Sequence, residues 1–347
     1  MDNPTHRTPV RVGLVGFGMA GAAFHAPLIA CTSGLELTTV VTGHAARAAA
    51  AREQYPGVPV LPSLKDALAT QGLDLVVVAS PNHVHVEQAT MALQAGAHIV
   101  IDKPVAPTAA QVRQLERLAE QRELVAAAFH NRRWDSDFLT LRALLDSGRL
   151  GRVQRFESRF ERWSPVPSRN WRESGDPAKA PGLLYDLGTH LIDQALQLFG
   201  PVASVYAESD VRRAGVRAPD DVFVALRHLG GEVSHLWMSK TAADTGPRMR
   251  VLGSQAAFVV LGVDQQVTDP KTPRLGTAQR AVLTRGTEEE PVALLPGGYP
   301  DFYRGLERAI RGEGAPPVTL SEAAAVLDVI ERAIHSSRTG AVVGVSS

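Results

Sequence analysis

An apolar strand that runs into three spaced glycines and then a helix leaves a chain few folds to adopt. Here that stretch is VRVGLVGFGMAG, Val10 to Gly21. Val10–Gly16 reads as a buried strand, and a helix follows from Met19. The spacing Gly16-x-Gly18-x-x-Gly21 has meaning only in this strand-to-helix setting. There the first glycine permits a tight turn and the second lets a pyrophosphate reach the backbone. The third lets the helix lie close to the strand. The helix N-terminus adds N–H donors and a partial positive charge. Gly16, Phe17, Gly18, Met19, Ala20 and Gly21 are therefore candidate cofactor contacts. The alternative is a glycine-rich turn without a ligand.

The next hundred residues repeat the same rhythm. Valine-rich strands (LELTTVVT, LDLVVVAS, HIVID, LVAAAFH) alternate with helices of ten to fifteen residues. That order predicts an α/β doubly wound parallel sheet, a Rossmann-type domain, over residues 1–130. After NRRWDSDF the character changes. RVQRFESRFERW alternates like an exposed strand, and VASVYAES, DVFVALRHL, EVSHLWMSK, RMRVLG and AAFVVLG arrive without intervening helices. Residues 131–347 thus read as an α+β domain with a large, mostly antiparallel sheet. A proline- and glycine-rich excursion is expected over 264–298, and two helices near 300–311 and 321–336.

Two features of composition narrow the function. Lys+Arg and Asp+Glu are 36 each among 347 residues, with no basic block, which argues against nucleic acid or a membrane surface as partner. Cys31 is the only cysteine, which fits a reducing compartment. MDNPTHRTPV has no apolar segment of a secretory signal, and no apolar run is long enough to span a bilayer. The expected location is cytoplasmic.

The end of the second strand selects the dinucleotide. An acidic residue about twenty residues beyond the glycines would bind a ribose 2′-hydroxyl. Here Glu36 lies at the wrong end, and the strand closes on Thr42, Gly43 and His44 with Arg47 beyond. A hydroxyl, a histidine and an arginine suit a 2′-phosphate, so NADP is expected over NAD. The fourth strand ends at Ser80, Pro81 and Asn82, followed by His83 and His85, and the fifth at Asp102, Lys103 and Pro104. Strand C-termini line the ligand crevice of such sheets, so these are further candidates. On a helix His83 and His85 point to different sides, which favours a structural or cofactor-edge role over a metal site.

LLYDLGTHLIDQALQLFG, Leu183 to Gly200, is a helix with a polar stripe. At about 100° per residue, with Asp186 at zero, His190 falls near about 40° and Asp193 near about 340°. Leu187, Leu191, Ala195 and Leu198 take the far side. Asp186 also occupies an N-cap position. The stripe reads either as a wetted surface face or as the wall of a site.

Taken in order, GFGMAG, SPNHVH, DKP, NRRWDSDF, GRLGRV and LYDLGTHLID resemble the family of glucose–fructose oxidoreductase and inositol dehydrogenase. GLVGFGMAGAAFHAPLI, NWRES and LLYDLGTHLIDQALQLFG are similar to its NADP-dependent scyllo-inositol dehydrogenase branch. The resemblance covers nearly the whole chain. It implies a Rossmann domain followed by an open, largely antiparallel sheet, and homodimers or homotetramers formed through that sheet. It also implies metal-independent hydride transfer between a nicotinamide and a secondary alcohol or ketone of a cyclic polyol or sugar. The family's Glu-Lys-Pro becomes Asp102-Lys103-Pro104, with the acid one carbon shorter. Its D-x-x-x-H pair falls on Asp186 and His190. Trp171 and Arg172 match residues near the cofactor in relatives.

The expected catalytic set is therefore Lys103, Asp186 and His190. His190 is the general base, because imidazole titrates near neutral pH. Lys103 steadies the reacting oxygen, and Asp186 orients the ring or a neighbouring hydroxyl. Asp193 is expected to take an adjacent substrate hydroxyl, and Arg132 and Trp163 are further substrate candidates, as are Arg133 and Trp134. Two rivals stand beside this reading. One is a metal-dependent hydrolase with Asp186, His190 and Asp193 as ligands, which leaves the glycines and Lys103 without a role. The other is a non-catalytic NADP-binding sensor.

Overall fold

The computed structural model describes residues 8–168, 173–262 and 279–345. Trp171 and Arg172 lie outside the described residues. The first half contains β1 (Val10–Val15), α1 (Ala26–Ala30), β2 (Leu35–Val41), α2 (Ala45–Gln54), β3 (Val60–Leu61) and α3 (Leu64–Thr70). It continues with β4 (Leu75–Val78), α4 (His85–Gln94), β5 (His98–Ile101), α5 (Ala109–Gln121) and β6 (Ala126–Ala128). The six strands form a parallel sheet in the order β3-β2-β1-β4-β5-β6. Chain order reverses beside β1, so β1 and β4 flank the point where a crevice opens at the strands' carboxyl ends. Leu75–Val78 are buried on both faces, as a sheet covered by helices on both sides requires.

The second half holds α6 (Ser136–Asp146), β7 (Val153–Glu161), α7 (Thr189–Phe199), β8 (Val202–Asp210), β9 (Asp221–His228) and β10 (Val233–Ser239). Then follow β11 (Met249–Gly253), β12 (Ala257–Leu261), β13 (Arg280–Arg285), β14 (Glu288–Val292), α8 (Pro300–Ile310), α9 (Leu320–Thr339) and β15 (Val343–Gly344). Among the described residues nine strands make one sheet, β14-β13-β12-β11-β7-β10-β9-β8-β15. Every pairing is antiparallel except β7 with β10. One face is closed: Val222, Val224, Leu226, Leu236 and Met238 are buried. The other face presents Phe223, His235 and Trp237, half-buried, with the Phe223 and Trp237 rings 5.1 Å apart.

Three elements depart from the sequence reading. RVQRFESRFERW, expected as an exposed strand, lies in the middle of the sheet between β11 and β10, and its charges on the open face satisfy one another. Arg159 lies 3.9 Å over the Trp237 ring and donates to Glu157, which Arg250 also holds at 2.6 Å. The excursion over 264–298 contains β13 and β14, because Ala281, Val282 and Leu283 find buried positions beside β12. The outer edge strand β14 reads EEEPV, three glutamates and a proline.

The last helices return to the first sheet. Ala109 N–H donates to Glu331 of α9, Ala128 N–H extends β6 by donating to Val318 O, and Tyr303 of α8 hydrogen-bonds the buried His25. A capping box, Thr319 with Glu322, starts α9. Among the described residues no helix is long and apolar enough to cross a membrane.

Candidate active site

The glycine turn has the shape of a cradle. Gly16 sits at φ +97°, and a Cβ there would lie 2.4 Å from the Ala79 carbonyl oxygen, so only glycine lets the turn close on β4. A Cβ on Gly21 would meet the Gly16 oxygen at 2.0 Å, which sets how closely helix and turn pack. Over Gly18 the space is open. The nearest atoms to a Cβ there belong to the Arg47 guanidinium, at 3.9 Å. The backbone over Gly18 is thus free to meet a pyrophosphate, with a cation from α2 beside it, and a dinucleotide fits this arrangement.

The other cofactor candidates divide. Phe17 is buried and packs edge-on against Tyr55, so its side chain supports the turn from behind. Met19 is 71% exposed and Ala20 partly buried at the start of the helix. Thr42 and His44 stand at the end of β2, joined by the His44 N–H to Thr42 Oγ1 bond, while Arg47 is exposed. Ser80 donates to Gln88. Asn82 turns toward the second half, donating to Lys179 O and Ala180 O.

Of the structural and cofactor-edge roles expected for His85, its contacts are those of a structural residue. It is 1% exposed, with Nδ1 2.9 Å from Pro104 O and Nε2 2.8 Å from Ser80 O. It ties the loop after β4 to the loop after β5. Burial pushes its pKa down, against Asp102 and the two carbonyls, which push it up.

Lys103 follows β5 in a cis Lys103–Pro104 peptide. Its backbone N–H is held by Asp102 Oδ1 at 2.8 Å, and its Nζ crosses to the second half, donating to Asp186 O at 2.6 Å and Asp186 Oδ1 at 3.0 Å. Asp102 also stands 4.0 Å from Nε2 of the buried His25, an atom with no hydrogen-bond partner among the described residues.

Asp186 is not an N-cap. It lies inside a π turn, Leu184–Gly188, that precedes α7. A π turn joins residues five apart and shifts the facing of whatever follows. A second π turn, Gly21–His25, opens the helix after the glycines. The stripe read at about 100° per residue therefore breaks at its start, at Asp186, while His190 and Asp193 keep their α-helical spacing within α7 and differ in what surrounds them. His190 is 6% exposed, its Nδ1 buried and without a hydrogen-bond partner among the described residues. Asp193, expected to meet a substrate hydroxyl, is 2% exposed and gives both carboxylate oxygens to Arg133, at 2.6 and 2.9 Å. Arg133 also reaches Glu322 at 2.9 Å, so the Asp193–Arg133 pair is a buried brace behind α7.

Arg132 and Trp163 fare differently from one another. Arg132 is bound to Asp135 and stacks 4.6 Å over Phe160, whose other neighbour is the buried Arg248, at 4.4 Å. The His190 ring stands edge-on to Phe160. Trp163 is 60% exposed, and its backbone bridges to Thr241. Trp134 packs edge-on against Phe302.

Burial, and then the cations of Lys103 and Arg132, the His130 ring and the Arg248 cation, push the His190 pKa well below 6.5. The ring is neutral at neutral pH and stands in a positive field. His130 was not singled out by sequence. It follows β6 at the crevice end of the sheet, is buried, has an Nδ1 without a partner among the described residues, and burial lowers its pKa. The rule that strand C-termini line the crevice is the signal that marks it.

Residues 10–130 match a family profile described as an oxidoreductase family with an NAD-binding Rossmann fold. Residues 138–259 match the GFO/IDH/MocA C-terminal domain. The oxidoreductase YdgJ of Escherichia coli (strain K12) is 39% identical, over 95% of this chain and 96% of its own. The scyllo-inositol 2-dehydrogenase (NADP(+)) IolW of Bacillus subtilis (strain 168) is 30% identical, over 95% and 94%. The solved structure of YPO2259 from Yersinia pestis superposes with a TM-score of 0.88 at 36% identity, over 98% of both chains. The chain belongs to the GFO/IDH/MocA family of oxidoreductases and carries that family's NAD-binding Rossmann fold.

Proposed function

We propose that the protein transfers a hydride between NADP and a secondary alcohol or ketone of a cyclic polyol or sugar, inositol-type compounds first among them. The observation that carries this reading is the meeting of Lys103 with Asp186 across 83 residues of sequence, beside a buried, neutral His190. Similarity to the NADP-dependent IolW supports the substrate class.

The glycine turn and Arg47 would hold the dinucleotide. When bound, the nicotinamide supplies the hydride acceptor or donor. The chain's own residues handle the proton and the oxygen. Neutral His190 takes the hydroxyl proton of an alcohol substrate, or returns it in reduction. Lys103 hydrogen-bonds the reacting oxygen and stabilises negative charge as it develops. Asp186, holding Lys103 by carbonyl and carboxylate, aims that ammonium. The Asp186 and Asp193 carboxylates already engage side-chain cations at lone pairs a metal would need, which speaks against the hydrolase alternative.

The choice of NADP rests on Thr42, His44 and Arg47 at the end of β2, where no carboxylate stands to repel a 2′-phosphate. We further infer that copies associate as dimers or tetramers through the open face of the nine-stranded sheet, on the strength of the Phe223–His235–Trp237 cluster. A reducing, cytoplasmic setting is in keeping with the free, exposed Cys31. The deciding experiment screens inositols, sugars and keto-sugars by nicotinamide absorbance with each dinucleotide. Turnover with NADP, and an Arg47→Ala variant that raises KM for NADP more than for NAD, is expected. A wild-type preference for NAD overturns the cofactor assignment.

A further inference from the structure

Behind Lys103 lies a buried imidazole that takes no part in the hydride transfer described above. His25 ends the π turn Gly21–His25, which closes when the Ala26 N–H returns to Gly21 O. The ring thus belongs to the turn that directly follows the glycine cradle. It is fully buried and lies 4.2 Å from the Phe129 ring. Its Nδ1 is 2.6 Å from the Tyr303 hydroxyl of α8. Its Nε2 stands 4.0 Å from Asp102 Oδ1, the same oxygen that accepts the Lys103 N–H at 2.8 Å. The Asp102 N–H in turn donates to Val78 O, which fixes this corner to β4.

The neighbours decide which nitrogen carries the proton. Burial, opposed by Asp102, lowers the His25 pKa to about 4, so the ring is neutral at neutral pH, with one N–H and one lone pair. Burial, and then the Asp102 charge, raise Tyr303 well above its usual value, so the phenol keeps its hydrogen. With the proton on Nε2, Nδ1 accepts from the Tyr303 O–H and the ring N–H faces the carboxylate. With the proton on Nδ1, a lone pair would face the carboxylate, and the phenol hydrogen would have no acceptor among the described residues. Only the Nε2–H form suits both ends. The 4.0 Å contact with Asp102 is longer than a hydrogen bond. A bond dipole and a charge still attract across that gap where water is excluded.

We infer that His25 is a positioning residue for Lys103: Tyr303 sets its tautomer, its Nε2–H steers the Asp102 carboxylate, and that carboxylate holds the lysine's backbone while the ammonium reaches Asp186. One ring thereby ties the turn that would cradle a dinucleotide to the lysine that meets the substrate. The kinetic consequence rests on the oxidoreductase reading above; the placement of Lys103 does not.

The test uses the full-length protein as wild type, His25→Asn, His25→Gln and Tyr303→Phe. Glutamine brings an N–H near the place of Nε2, and asparagine only near that of Nδ1. Two quantities are read: kcat with NADP at saturating substrate, and the rate at which acetic anhydride labels Lys103, followed by mass spectrometry. His25→Asn is expected to lower kcat and to speed labelling of Lys103, each by about tenfold, the scale of one lost hydrogen-bond-like contact. His25→Gln restores most of both, and Tyr303→Phe falls between. A ring that only fills space would give losses that follow the urea midpoints and not the presence of the N–H. Equal kcat and equal labelling in the Asn and Gln variants therefore overturn the proposal. If no compound is turned over, the oxidoreductase reading fails and the labelling rates alone decide on His25. If the His25 variants do not fold, neutron diffraction from wild-type crystals decides: a deuteron on Nε2 supports the proposal, and one on Nδ1 overturns it.

Discussion

Lys103 Nζ is held twice by one residue, donating to both the backbone carbonyl and the carboxylate of Asp186. A lysine fixed by the parallel sheet is thereby aimed by a π turn of the second half. Lys103→Met is expected to lower kcat by at least about a hundredfold, the scale of lost acid–base and electrostatic help. Asp186→Asn keeps the carbonyl acceptor and removes only the charge, so its loss should be smaller, about tenfold. Steady-state kinetics at saturating substrate reads both, and near-wild-type turnover in Lys103→Met removes the lysine from the mechanism.

His190 should act as a base over an unusually wide acidic range. Its pKa lies well below 6.5, because burial and the surrounding cations disfavour imidazolium. Protonation, and with it loss of the base, comes only as pH falls through that lowered value. The acid limb of kcat/KM for alcohol oxidation should therefore sit below pH 6.5. His190→Ala should cut turnover at least about a hundredfold at every pH. An acid limb centred above pH 6.5 would contradict the assignment.

Asp193 offers a test that separates a brace from a substrate contact. Asp193→Asn leaves Arg133 short of a buried partner, with Glu322 remaining, and should destabilise the fold by about 3 kcal/mol. The drop should appear in chemical denaturation, while KM for the substrate stays close to wild type. A large KM effect with unchanged stability would restore the role expected from sequence.

Stability should fall as pH drops below about 6.5, and the sign can be worked through. Burial, partly opposed by Asp102, lowers His25 to about 4, so between 6.5 and about 4 the unfolded chain binds a proton that the folded one refuses. That alone removes about 3 kcal/mol on acidification. Asp135 acts oppositely. Burial, against Arg132, raises it from 3.8 to about 6, so its protonation favours the folded state over that window by a similar amount. His85, His130 and His190 are all lowered by burial and tip the balance toward loss. Urea midpoints taken between pH 7 and pH 4.5 check this, and a midpoint that holds or rises overturns it.

What could be read from sequence was local. The glycine turn, the strand ends and the Asp186–His190 spacing each lie within a few residues, so their patterns survive in the linear text. The brace did not, because Arg133 and Asp193 are 60 residues apart and nothing in either neighbourhood names the other. Nor did the His25–Tyr303 bond, which spans 278. His130 lay hidden because a histidine after an alanine-rich strand looks like a strand end until the crevice is built. The polar stripe misled for a different reason. One π turn moved Asp186 off the ideal stripe, and what His190 and Asp193 meet was set by distant neighbours, Phe160 beside the ring and Arg133 on the carboxylate.

The glutamates of β14 bear on how the protein behaves in concentrated solution. An edge strand ordinarily exposes a row of N–H and C=O groups that invites another strand to join. Here that row carries three successive carboxylates and a proline, and at the opposite margin β15 is two residues long. Strand addition at the glutamate margin would bring like charges together, and at the other it has almost no template. The described sheet is thus guarded against growing sideways into aggregates, which leaves its broad face as the place where the proposed association of copies would be finite and closed.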